Sequence, residues 1–306
     1  MPMPHRTQMT LIKRRLVGKE GAERVRELRG ILSELPNYKN GPYADIRKWV
    51  LGEIDATRSR ARIVYRDSIA VRREGAAQIA LVGPPNAGKS SLLHALSDVQ
   101  IKIGNYAFTT LRPVPALVRI EGVLVQFVEI PGLLQGASDD HGGGRAYLGV
   151  LREADAILYC QDATAVPDDL RSVMREVARA GIARPALLAL TKCDDASSDA
   201  IERFSGAFPG LLVVATSILD DASLGRLRAA AWRLTGLIRV HVRDGGDPFA
   251  LPTGSTVLDL AAAIHSELAR DFAGARVWGP SARFAGQRVG RDHVVREGDT
   301  VEVLTA

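Results

Sequence analysis

The 306-residue sequence predicts an α/β fold: a mostly parallel sheet covered by helices, preceded by basic helices and followed by a small α+β unit. Three observations predict it. Short, nearly continuous apolar runs alternate with amphipathic helical stretches from Gln78 to about residue 237, which is the pattern of strands buried on both faces. The first run, "QIALVG", opens into "GPPNAGKS" (83–90), a G-x-x-x-x-G-K-S loop between a strand and a helix. Beyond residue 237 the runs shorten and pair around one helix.

Taken in order, residues 10–34 carry Leu, Ile and Val at helical spacing, with a break expected near Gly18 or Gly21. "LPNYKNGPY" is a loop, and 44–66 is a second helix, so the N-terminal region reads as a helical hairpin. Strands are expected at 78–83, 115–120, 123–130, 156–162, 186–192 and 211–217, with helices at 168–181, 199–206 and 222–236. The tail supplies a strand at 238–245, one helix over 255–272, and strands at 275–279 and 300–305. The expected domains are therefore 1–72, 73–237 and 238–306.

Charge is uneven along the chain. Residues 1–72 hold sixteen Lys/Arg against eight Asp/Glu, while the whole chain has a net charge of only +5. A basic arm on a near-neutral body suits an anionic partner, nucleic acid first, or else a solvated Arg-rich face. No apolar run approaches the ~18 residues of a membrane span, and the N-terminus lacks an apolar signal core, so a cytoplasmic protein is expected with no membrane partner. Cys160 and Cys193 lack metal or redox spacing, and Cys160, within "AILYC", reads as a core thiol. The histidines are likewise scattered without metal spacing.

The loop carries the chemistry. Gly83, Pro84, Pro85, Asn86, Ala87, Gly88, Lys89, Ser90 and Ser91 form the expected phosphate cradle. Gly83 and Gly88 let backbone N–H groups wrap a phosphate, Lys89 brings a positive charge to the β/γ-phosphates, and the Ser90 hydroxyl suits Mg2+. "TKCD" (191–194) follows a strand in the position of a base-reading loop. Asp194 would accept hydrogen bonds from guanine N1–H and its amino group, a pair adenine lacks. The Lys192 stem would pack over the base, and Thr191 stands where Asn is usual. In "TSI", Ser217 and Ile218 bring backbone N–H groups toward the guanine carbonyl. GTP and GDP are therefore the expected nucleotides. An ATPase is the remote alternative.

"GPPNAGKSSLLHALS", "IGNYAFTTLRPVPALVRIEG", "EIPGLLQGASDDHGGGRAYLGVLREAD" and "TKCD" together resemble the Obg/DRG group of translation-factor-class GTPases, with a Ras-like domain. The tail from "TVLDL" resembles a TGS domain, a ubiquitin-like β-grasp module, as it follows the GTPase domain in the DRG branch. The likeness covers about three quarters of the chain. It implies that Ser90, Thr110 and Glu129 serve Mg2+, Glu129 through water. Phe108, Thr109 and Thr110 belong to a first switch, and Pro131 and Gly132 to a second, where Thr110 and Gly132 sense the γ-phosphate. Lys89, Asn86, Thr110 and Gly132 are the expected catalytic group.

The sequence departs from that pattern in three ways: Glu129 replaces the usual Asp, Thr191 replaces the usual Asn, and only 28 residues separate Asp162 from Thr191, too few for the insert domain of eukaryotic DRG proteins. Leu133, where many other P-loop hydrolases carry a water-orienting Gln, is what the resembled family itself carries. The resemblance implies that Asn86 holds K+ near the β/γ-bridge in place of a catalytic Arg. A tight turn alone would also account for Asn86. The expected activity is slow, Mg2+-dependent and K+-stimulated GTP hydrolysis. The basic arm and TGS domain would engage RNA or the ribosome, with a regulatory protein as a further partner. The competing reading is a scaffold that senses GTP, GDP or ppGpp with negligible hydrolysis.

Overall fold

A computed structural model describes residues 5–16, 19, 21–36, 41–67, 71–97, 112–131, 144–197 and 199–305. Phe108, Thr109, Thr110, Gly132 and Leu133 lie outside them. The chain divides into two compact units, Met1–Ala70 and Val71–Ala306.

The first unit is helical. The 10–34 segment forms two helices, α1 (His5–Arg15) and α2 (Gly21–Glu34), and α3 spans Pro42–Asp67. The expected hairpin is thus α2 with α3, and α1 adds a third helix. Leu28 and Ile31 recur on one face of α2, with Leu35 just beyond its end, and Ile46, Val50 and Ile54 on one face of α3. Ile12 and Leu16 of α1 close the same core. Three of the basic side chains are paired internally: Arg15 with Glu27 and Glu34, Lys19 with Glu27, and Arg24 with Glu53. Arg14, Arg26, Arg29 and Lys48 are exposed.

The second unit begins with a six-stranded sheet in the order β2-β3-β1-β4-β5-β6. Its strands are β1 (Gln78–Val82), β2 (Val114–Ile120), β3 (Val123–Glu129), β4 (Ala156–Asp162), β5 (Ala186–Thr191) and β6 (Leu212–Ala215). Only the β2/β3 pair is antiparallel; β1 runs parallel to both β3 and β4. Helices α4 (Lys89–Leu96), α5 (Gly144–Glu153), α6 (Pro167–Arg179), α7 (Ala200–Ala207) and α8 (Asp221–Leu234) alternate with the strands. Every residue of β1 is buried, as expected of a central strand with both faces covered.

The tail forms a second sheet, ordered β10-β9-β11-β7-β8. It comprises β7 (Leu237–Val242), β8 (Phe249–Pro252), β9 (Phe272–Trp278), β10 (Gln287–Val289) and β11 (Asp299–Thr305), with β7 and β11 parallel. The single helix expected over 255–272 is two, α9 (Val257–Ile264) and α10 (Ser266–Arg270). His265 between them is extended, and its Nδ1 accepts the Glu267 N–H, so a local side-chain cap replaces helix continuation. β8 and β10, absent from the sequence reading, are edge strands of four and three residues, and Pro252 is tolerated because β8 is an edge.

The β2–β3 hairpin joins the two sheets. Its two-residue turn has φ 45° at Glu121 and 93° at Gly122, the left-handed pair of a type I′ turn. Glu121 pairs with Arg239 of β7, and Arg119 reaches Asp247 at 3.1 Å. Arg239 is itself held by Glu297 at 2.6 Å and lies over the Trp232 ring of α8. A Cβ at Gly122 would stand 2.5 Å from Cδ of the rigid Pro248 ring, so the contact admits glycine alone.

Gly122→Ala therefore combines left-handed strain with a clash, a cost of about 2–3 kcal/mol. We expect a fall of roughly 4–8 °C in the thermal midpoint. Gly181→Ala, at φ 69° with nothing within 4 Å, carries only the backbone cost and should lower it less. Equal shifts would show that the Pro248 contact is not tight.

Candidate functional site

The parallel strands end together, and the site lies at their carboxyl ends. β1 runs directly into the 83–90 loop. The loop lies tight against β4: a Cβ at Gly83 would stand 2.1 Å from the Cys160 carbonyl oxygen, which explains glycine there. Asn86 adopts φ 62°, a left-handed conformation that Asn tolerates better than most residues. Gly88, at φ 75°, then opens α4, whose N-terminus faces the cavity.

A cavity of about 510 Å³ follows, within the range of small-molecule sites. Residues 86–91, Glu129, Pro131 and Lys192 line it. The Lys89 side chain is buried, and its Nζ donates to the carbonyls of Gly83 (3.1 Å) and Pro84 (2.9 Å). Burial lowers its pKa, while nearby Cys160 and Glu129 oppose that shift. The ammonium is thus held by weak neutral acceptors that an anion can displace. Cys160 beneath the loop is fully buried, and burial pushes its thiol up to about 12, so it is an inert core residue.

Glu129 ends β3 opposite Leu81 of β1. Its Oε1 accepts the Ser90 hydroxyl at 2.6 Å. The extra methylene relative to Asp therefore does not carry the carboxylate away from Ser90. A hydroxyl and a carboxylate on one cavity wall are hard oxygen donors that fit Mg2+, which takes one or two protein ligands and completes its shell with phosphate and water. No cluster of three or more His, Cys, Asp or Glu suited to a metal occurs among the described residues.

The 191–194 loop is tied to the 83–90 loop. Thr191, the last residue of β5, places Oγ1 2.9 Å from the Ala87 carbonyl and 3.1 Å from that of Gln161. Its single proton can serve either acceptor. Thr191 thus bridges to the phosphate loop without the amide of the usual Asn. Lys192 follows at φ 55°, and the Cys193 N–H donates to the Thr216 carbonyl, which joins the loop to the end of β6. Asp194 is exposed, as is Ile218. The Ser217 N–H donates to Ser223 Oγ at 3.0 Å, so it is already engaged.

The structure thus brings Asn86–Ser91, Glu129, Pro131 and Lys192 around one cavity, with Thr191 behind it. Gly83 and Pro84 supply the carbonyls that hold Lys89. Sequence reasoning assigned no role to Asp162. The available signal was an acid closing the apolar strand "AILYCQD", just as Glu129 closes "VLVQFVE".

Residues 78–192 match the family of 50S ribosome-binding GTPases, and residues 238–305 match the TGS domain. A GTP-binding protein of Methanocaldococcus jannaschii is 27% identical over 364 residues, covering 91% of this chain and 92% of that protein. The Dictyostelium discoideum homologue of developmentally-regulated GTP-binding protein 2 is 25% identical, covering 78% of this chain and 85% of its own. Ribosome-interacting GTPase 1 of Saccharomyces cerevisiae is 26% identical, covering 76% and 84%. The first alignment runs to 364 positions against 306 residues here, so that relative carries at least 58 residues, the difference, without a counterpart in this chain.

Thr191→Val keeps the shape and removes the hydroxyl. Urea unfolding should show a loss of about 1–2 kcal/mol, because buried carbonyls lose their donor. Thr191→Ser should retain most of the stability. Equal losses in both variants would show that the methyl packing, not the hydroxyl, holds the loops together.

Proposed function

We propose that this chain, a DRG-like GTP-binding protein in which a GTPase domain is joined to a TGS domain, hydrolyses GTP slowly to GDP and phosphate and acts as a switch in the cytoplasm. One observation carries the reading: Thr191 ties a base-reading loop to a phosphate loop whose cavity is lined by Lys89, Ser90 and Glu129.

In this reading the polyphosphate replaces the Gly83 and Pro84 carbonyls at Lys89. The P-loop N–H groups and the α4 N-terminus receive its remaining charge. Ser90, Glu129 and Thr110 would hold Mg2+, which neutralises charge on the β- and γ-phosphate oxygens. Asp194 takes the guanine N1–H and amino group, and the Lys192 stem covers the base. The Ser217 N–H is engaged with Ser223, so the N–H of Ile218 is assigned to the guanine carbonyl. Water attacks the γ-phosphorus, the bond to the β-phosphate oxygen breaks, and the proton passes to solvent. Leu133 replaces the water-orienting Gln, so positioning and charge neutralisation carry the rate, with Thr110 and Gly132 sensing the γ-phosphate.

The deciding experiment is single-turnover hydrolysis of GTP in KCl, with ATP as competitor. Turnover that ATP does not inhibit supports the proposal. Tight binding of GTP, GDP or ppGpp without turnover would replace it with the sensing scaffold. Glu129→Gln should retain guanine-nucleotide binding and lose at least about tenfold in the Mg2+ dependence of affinity. Faster turnover in that variant than in the parent would refute a metal role.

K+ is assigned to Asn86. Because Asn86 sits at φ 62°, alanine there would add backbone strain to the loss of the amide, and Asn86→Gly is the cleaner variant. Hydrolysis should be faster in K+ than in Na+ for the parent and equal in the two salts for Asn86→Gly; equal parental rates would sink the assignment.

RNA or the ribosome is the proposed macromolecular partner, through the N-terminal unit and the TGS domain, and a regulatory protein partner is compatible with the same switch. The exposed Arg14, Arg26, Arg29 and Lys48 are the cations for that contact. Ribosome pelleting should weaken with salt and with Arg26→Glu/Arg29→Glu. No co-sedimentation at low salt in either nucleotide state would argue against it.

A further inference from the structure

Lys192 is a non-glycine residue at φ 55°, a conformation that costs an L-residue about 1–2 kcal/mol. Three contacts hold it there. Thr191 before it is fixed by its buried hydroxyl, and the Asp195 N–H donates to the Lys192 carbonyl at 3.1 Å, closing the turn. The third contact is to the side chain: Lys192 Nζ lies 2.6 Å from Oδ2 of Asp162.

Asp162 is built to make this contact. It ends β4 in register with Thr191. Its other oxygen, Oδ1, accepts both the Thr164 N–H (2.8 Å) and the Thr164 hydroxyl (2.7 Å). Those bonds fix the carboxylate plane and leave Oδ2 facing Lys192. Burial opposes ionisation, but the bonds from Lys192 and Thr164 outweigh it and hold the carboxyl below its usual range. The Asp162 carboxylate is therefore held in its ionised form.

A half-exposed ion pair of this kind contributes at most about 1 kcal/mol to folding. Its larger effect is directional. Lys192 lines the cavity that also holds Lys89 and Ser90. A lysine with four rotatable side-chain bonds and no fixed acceptor would turn toward solvent or toward a bound polyphosphate. Anchored at its tip, it presents its methylenes to the cavity instead, and its charge is answered by Asp162 rather than by the ligand.

We propose that Asp162 is a positioning residue of the nucleotide site, holding Lys192 so that its stem, rather than its ammonium, covers the face of the guanine base. The proposal rests on the guanine-nucleotide reading above and extends it to a residue with no direct contact to the ligand.

The test is equilibrium binding of a fluorescent GDP to the full chain and to Asp162→Asn, Lys192→Met and the double variant, together with KM and kcat for GTP. Asn keeps an acceptor for Thr164 but turns an N–H2 toward Lys192, and Met keeps the stem without the charge. Asp162→Asn should weaken GDP binding about tenfold, raising KM with little change in kcat and in the thermal midpoint. On the Lys192→Met background the same substitution should change affinity by less than about twofold. Binding unchanged in Asp162→Asn, or weakened equally on both backgrounds, would overturn the positioning role. A parent chain that does not bind the GDP probe would instead overturn the nucleotide reading itself, together with this inference.

Discussion

The Thr191 hydroxyl, 2.9 Å from the Ala87 carbonyl, fixes the distance between the two halves of the site. The loop after β1 and the loop after β5, which the proposed function assigns to the two ends of a nucleotide, meet here although Ala87 and Thr191 lie 104 residues apart in the chain. Parallel strands alone bring their ends to the same edge, but a loop can drift by more than a hydrogen bond tolerates. A buried donor shared between the carbonyls of Ala87 and Gln161 removes that freedom, since losing it would strand acceptors away from water. Asn is usual at this position, and Thr meets the same constraint with a shorter side chain because the β5 end lies close against the loop. A Cβ on Gly88 would stand 3.3 Å from Thr191 Oγ1.

Charge inside the cavity is arranged on the same principle. Among the described residues, Lys89 is buried with carbonyls as its hydrogen-bond partners, and Glu129 is buried with the Ser90 hydroxyl. Among the described residues no salt bridge joins the two, so each retains capacity for a ligand. A direct Lys89–Glu129 pair would be more stable without ligand and less receptive to phosphate and metal. Lys192 and Asp162 behave differently: there the pair is closed, and the lysine contributes a surface rather than a charge.

Around the site, the second unit is held by the β2–β3 hairpin, whose turn inserts Gly122 against Pro248 and Glu121 against Arg239. The strands leading to that turn begin at Val114 and end at Glu129, so one rigid hairpin runs from the cavity wall to the second sheet. In the helical unit, a core of Leu28, Ile31, Ile46 and Val50 is shared by helices α2 and α3, and acids of these helices pair with part of the basic excess.

The sequence by itself determined the central sheet and the phosphate loop. Strands β1, β3, β4 and β5 are read correctly because burial on both faces leaves a nearly continuous apolar run, and the loop is read because its chemistry is contiguous. Only the tertiary structure decided the rest. β8 and β10 exist because neighbouring strands supply their partners, not because four or three residues encode a strand. The split at His265 depends on one ring nitrogen reaching Glu267. Glu129 is one methylene longer than the usual Asp, and only the fold sets its carboxylate on Ser90; only the alignment of β4 and β5 brings Asp162 to a lysine thirty residues away. Local patterns survive in sequence because they are made by neighbours along the chain. A side chain's partner across strand ends is fixed by register and loop geometry, which no single stretch of residues contains.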